Sequence, residues 1–299
     1  MKTLLNLLLK TQPHQRRHPS KSTGGFTMIE LLVGMVIAFL IITPMLAFVV
    51  NILNSDVKEQ AKTNTEQDLQ AAMDYIAQDM SQALYVYTPA EINLILNPED
   101  ESGSPLEPAI RSDGNLGNPK IVFWKRKYEE KAVPINDTVT CPSDQCDDTF
   151  VMSLVAYYQI DENDPSSVWC EKTPCPSRIA RVEISDNPKK LDGSYVTADP
   201  TNGYNPDNQA KIASPVRLTK GAGALTNAQA VVLVNHIEEI TLDDDVLNNK
   251  LAKITIIGNA KRRVPGNFSD LTCSATDTSP YCPKATARVG ARSGYGENE

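Results

Sequence analysis

The first 29 residues contain no acidic side chain, residues 31–50 carry no charge at all, and no cysteine occurs before Cys141. Each gap excludes something. A 20-residue stretch without charge is rare in the core of a soluble domain. The missing cysteines confine disulfide chemistry to the stretch from Cys141 onward. Aromatics make up only 6% of the chain, and histidine occurs three times. Two of these, His14 and His18, fall among the first 25 residues, and the third, His236, lies in a strand-like run beside Val232, Val234 and Ile237. Such a histidine reads as a sheet residue before it reads as a base. The chain has no GxxxxGK[ST], GxSxG, HExxH or Rossmann glycine pattern, so the expectation is a protein that is not an enzyme and holds no cofactor or metal.

Charge is unevenly placed. Lys2, Lys10, Arg16, Arg17 and Lys21 give residues 1–25 a charge of +5; the whole chain is −8, so residues 26–299 carry −13. An acidic body argues against nucleic acid, because phosphate binding needs clustered Lys and Arg. The basic N-terminus reads as a cytoplasmic flank under the positive-inside rule.

What is present begins with LLVGMVIAFLIITPMLAFVV, Leu31 to Val50. As a helix, twenty residues span about 30 Å, the thickness of a bilayer core. Thirteen of them are Leu, Ile, Val or Phe, worth about −4 to −8 kcal/mol for insertion, against up to about 3 kcal/mol for drawing Glu30 inward. The run is too long for a secretory signal core and lacks a small-x-small cleavage site behind it. A plain single-pass anchor stays open on composition alone. Gly34 and Pro44 interrupt the run, and a kink or melted stretch is expected near Thr43–Pro44.

The residues ahead of the run narrow the choice. Gly24-Gly25-Phe26-Thr27-Met28-Ile29-Glu30 resembles the class III signal of type IV prepilins and pseudopilins. The resemblance implies cleavage after Gly25 by a prepilin peptidase and N-methylation of Phe26. It also implies that Glu30, at the fifth mature position, meets the N-terminal amine of a neighbouring subunit during filament assembly. Implied partners are the prepilin peptidase, other pilin or pseudopilin subunits and an inner-membrane assembly platform, with no nucleic acid. A carboxylate in an apolar bundle requires a partner, which fits that role.

After Asn54 the chain turns polar, and apolar residues return at Leu69, Ala72, Met73, Ile76, Ala77, Met80, Ala83, Leu84 and Tyr87. Steps of three and four make one helical stripe. No Gly or Pro lies between Asn51 and Tyr87, so one helix over about 26–87 is expected, stopped by Pro89. Residues 66–87 are similar to the helix of large minor pilins and minor pseudopilins, with a Leu69…Ile76…Asp79 pattern. Taken whole, the signature resembles pseudopilins of cyanobacterial hormogonium polysaccharide secretion.

Strand-like runs follow at Ile121–Tyr128, Phe150–Ile160, Arg178–Ser185, Ala230–Leu242 and Leu251–Asn259. Pro-, Asn- and Asp-rich stretches 95–119, 161–177 and 186–228 read as long loops. The expected class is α+β: a long N-terminal transmembrane helix packed on an antiparallel sheet. The expected division is leader 1–25, membrane and filament-core helix 26–54, amphipathic extension 55–88, extracytoplasmic β-rich domain 89–284 and loose tail 285–299. The six cysteines, Cys141, Cys146, Cys170, Cys175, Cys273 and Cys282, have four, four and eight residues between consecutive partners. An even number outside the cytoplasm reads as disulfides; six allow 15 pairings, and pairing in sequence is preferred. Zinc tolerates similar spacings. The acid clusters at Asp161–Asp164 and Asp243–Asp245 lack EF-hand spacing and read as solvated loop acids, with calcium as the rival.

The functional expectation is a minor pseudopilin, a structural subunit of a filament serving export, polysaccharide included. A minor type IV pilin needed for pilus assembly and motility is the alternative, and a membrane-anchored adhesin or binding protein is another. In each case the protein sits in the inner membrane with its body outside the cytoplasm.

Overall fold

The computed structural model describes residues 25–96, 119–170, 173–185, 230–243, 251–264 and 270–290, with Pro188, Lys190, Asp192 and Val196. Residues 1–24, the stretch 97–118, most of 186–229 and the end from 291 lie outside the described residues, so the expected leader is almost wholly among them. The architecture is α+β: a long N-terminal apolar helix and a curled antiparallel sheet of seven strands.

Helix α1 spans Met28–Met80. It belongs to two units of the chain, which meet between Ser55 and Asp56. Within the second unit, Ala61, Thr65, Leu69, Ala72, Met73, Ile76, Asp79 and Met80 are its buried residues. These sit three and four apart, as one helix face requires. Leu69, Ile76 and Met80 are almost fully buried, each worth about 1.5–3 kcal/mol.

The strands are β1 (Ala83–Val86), β2 (Pro119–Pro134), β3 (Cys146–Asp161), β4 (Ser177–Ser185), β5 (Val231–Asp243), β6 (Leu251–Gly258) and β7 (Lys284–Gly290), adjacent in chain order and antiparallel throughout. Period-two alternation sorts β2–β4 into two faces. Ile121, Phe123, Val155, Tyr157 and Ile179 join the helix core, whereas Val122, Trp124, Leu154, Ala156, Tyr158, Ala180 and Val182 form a second core. That second core is covered in part by Tyr87 and by Ile92 of a short helix, α2 (Pro89–Leu96). His236 lies buried in β5 with φ of 59°, where the strand leaves β4 and takes up β6 as partner. Its carbonyl accepts from Asn259 N at 2.8 Å.

Four expectations need correction. The amphipathic extension does not run to residue 88. α1 stops at Met80, and the last apolar residues of the stripe form β1, pairing Ala83 with Lys125 and Val86 with Phe123. Strand pairing with β2 there outweighs the helical spacing. Pro89 does not end a helix but opens α2, as proline does at a first turn. Thr88 and Glu91 cap it reciprocally: Glu91 N donates to Thr88 Oγ1 (3.2 Å) and Thr88 N to Glu91 Oε2 (2.7 Å). The tail is not loose from residue 285, because β7 pairs with β6 from Lys284 to Gly290. Finally, of the kink or melted stretch expected near Thr43–Pro44, the melting does not occur. The helix continues through Pro44, and Thr43 Oγ1 donates to Phe39 O at 2.8 Å.

Candidate assembly site

Gly25, Phe26 and Thr27 precede α1 in non-helical conformation. Thr27 caps the helix: its carbonyl accepts from Leu31 N at 3.2 Å, and its Oγ1 accepts from Glu30 N at 3.3 Å. Glu30 therefore stands at the third helical position, where a carboxylate faces the positive end of the helix dipole. The Thr27–Glu30 spacing serves local structure as well as placing an acid at the start of the apolar run.

Every residue from Gly25 to Gln60 is exposed. Phe26 is 82% exposed, and Leu31, Leu40, Met45 and Phe48 are each near or above three-fifths. The apolar surface runs all round this part of α1, so no single packed face satisfies it. Among the described residues, this is the one helix long and apolar enough to cross a membrane. A helix of that kind needs lipid, or other helices, on every side. Space around Gly25 is open: an added Cβ would meet nothing within 4 Å.

The six cysteines form three bonds, Cys141–Cys146, Cys170–Cys175 and Cys273–Cys282, with Cα separations of 6.0, 4.7 and 5.6 Å. The first closes the β2–β3 turn and the second lies in the β3–β4 connection. The third is buried against Ile257 ahead of β7. Asp277 brings a carboxylate beside Cys273 and Cys282, but sulfurs bonded to each other offer no thiolate to zinc. The acids of 161–164 are occupied from within. Asp161 accepts from Ser177 (2.6 Å), Asp164 from Ser166, and Glu162 from Ser167 and Arg178 (2.9 Å). Ser167, the Asp164 amide and Arg178 together draw Glu162 down to about 2. Asp243 pairs with Lys253, while Asp244 and Asp245 lie outside the described residues.

One cluster is not anticipated by the sequence reading. Asp79, on the buried face of α1, accepts from Lys125 Nζ (2.7 Å), Tyr157 Oη (2.7 Å) and Arg181 Nε (2.8 Å). Arg181 also pairs with Glu183 at 2.5 Å, and Lys125 with Glu183 at 3.5 Å. Ser153 Oγ donates to Glu183 at 2.6 Å. Two acids and two bases thus close a neutral ring between α1 and strands β2, β3 and β4. Burial pushes Asp79 upward, but hydrogen bonds from Arg181, Lys125 and Tyr157 outweigh it and hold the carboxyl below its usual value. Glu183 is likewise lowered, the donors Ser153 and Arg181 overcoming burial. The signals were an acid inside an apolar stripe, a lysine at the end of IVFWK, and Arg-x-Glu on one face of a strand.

No protein-family model, curated protein or solved structure matches the chain.

Proposed function

We propose that this chain is a minor pseudopilin: a structural subunit, held in the inner membrane by α1 and trimmed after Gly25, that enters a filament serving export. The observation that carries the reading is the juxtaposition at the head of α1. A Gly25-Phe26 junction and an exposed Glu30 introduce a helix whose first half is apolar on all sides. In lipid that surface is satisfied by acyl chains, and in a filament by the same surface of neighbouring helices. Glu30 then needs a cation, and the freed amine of Phe26 in an adjacent subunit is of the right charge. The sheet domain and its three disulfides fit an oxidising space outside the cytoplasm. The peptidase, the other subunits and an assembly platform are the partners of this reading. It assigns no enzymatic step and no cofactor to the chain.

Processing is tested by Gly25→Val. Nothing crowds a side chain at that position, so the substitution leaves the fold alone and reads the peptidase. The expected product is about 2.7 kDa heavier than the mature wild type, 25 residues of a 299-residue, 32.8 kDa chain. Equal masses contradict the cut. Deleting the gene separates export from motility: lost polysaccharide export with intact pili supports a pseudopilin, and lost pili support a minor pilin.

A further inference from the structure

The end of α1 is joined to the sheet by apolar packing and by the closed ring of Asp79, Lys125, Arg181 and Glu183. We infer that this ring is a register latch, with Asp79 as the positioning residue that admits one seating of the helix on strands β2–β4. Apolar contacts specify register less sharply, because Leu69, Met73, Ile76 and Met80 are of similar size and repeat along one face. A charge is not permissive. Moving Asp79 by one turn takes its carboxylate off Lys125, Tyr157 and Arg181 and leaves two buried cations to share one anion, Glu183. The side-chain exposures of the four, 8% for Asp79, 11% for Lys125, 10% for Arg181 and 18% for Glu183, leave little solvent to screen that mismatch. Every carboxylate oxygen of the ring has a donor, so the docked state is satisfied and its neighbours in register are not. Resting on the filament reading, the latch has a further consequence. A subunit drawn from lipid by its helix passes load from α1 into the sheet at this ring.

Hydrogen exchange on the full-length chain in detergent tests the latch without reference to filaments. In Asp79→Asn the amides of residues 69–80 are expected to exchange roughly a hundredfold faster than in wild type, from the cost of burying two cations with one anion between them. Exchange within twofold of wild type overturns the proposal. A second variant separates register from stability: Asp79→Leu, Lys125→Met, Arg181→Met and Glu183→Leu together. Its thermal midpoint is expected to return near wild type, while the peptide 69–80 shows two exchange populations where wild type shows one. A single wild-type-like population in that variant overturns the register role. Incorporation of the same variant into sheared filaments, expected to fall at least tenfold, tests only the passage of load from α1 to the sheet, so failure of the filament reading and failure of the latch are told apart.

Discussion

Gly258 shows how closely α1 sits on the sheet. A Cβ there would stand 2.6 Å from Leu69 Cδ1 and 2.8 Å from Thr65 Cγ2, with Pro283 at 3.2 Å. Leu69 and Thr65 are themselves almost wholly buried and have nowhere to retreat. Gly258→Ala is therefore expected to cost about 1–3 kcal/mol, read as a lower urea midpoint. Asp79 gives a second test, through pH. Asp79 and Glu183 lie below their ordinary values of 3.8 and 4.5 in the folded state. A carboxylate lowered by folding stabilises fully above its unfolded value and loses that contribution as pH falls through the folded one. Wild type is thus expected to hold its stability above about pH 4.5 and to lose it progressively below. The four-residue apolar replacement should show a shallower acid limb. Identical acid limbs would mean that the ring contributes nothing to stability.

Among the elements, α1 was legible in kind but not in extent. Twenty uncharged residues and a three-and-four spacing announce a helix, and five of the seven strands lie over the apolar, β-branched runs. The last stripe residues were ambiguous, since Ala83, Leu84 and Tyr87 satisfy a helix while Tyr85 and Val86 satisfy an edge strand. Pairing with β2 decided it, and that partner lies about forty residues away. β7 was missed because KATARVG is small and weakly apolar. Its place comes from the Cys273–Cys282 loop and from Gly258 N donating to Pro283 O at 2.8 Å, not from its own composition. The disulfide makes a prediction: Cys273→Ala with Cys282→Ala should cost about 2–4 kcal/mol and speed exchange in β7 first. Opening of the exposed 141–146 turn, by contrast, should leave β7 protected. Equal loss of protection for both variants would contradict this placing of β7.

For the whole molecule, the apolar half of α1 sets the behaviour. A chain truncated to residues 56–299 keeps the sheet and the buried face of α1, and is expected to be soluble without detergent. The full chain is expected to sediment with membranes and to resist extraction by high salt, because its attachment is apolar. The candidate site was legible because its chemistry is consecutive: Gly25, Phe26 and Glu30 precede the apolar run within six residues. The Asp79 ring was not, because its members span about a hundred residues of sequence and meet only when β2, β3 and β4 align. The most direct test is the N-terminus of the protein isolated from its own cells, read by intact mass and N-terminal peptide sequencing. The account predicts a chain starting at Phe26 and carrying one methyl group on its amine; a chain starting at Met1, or at any residue but Phe26, would contradict it.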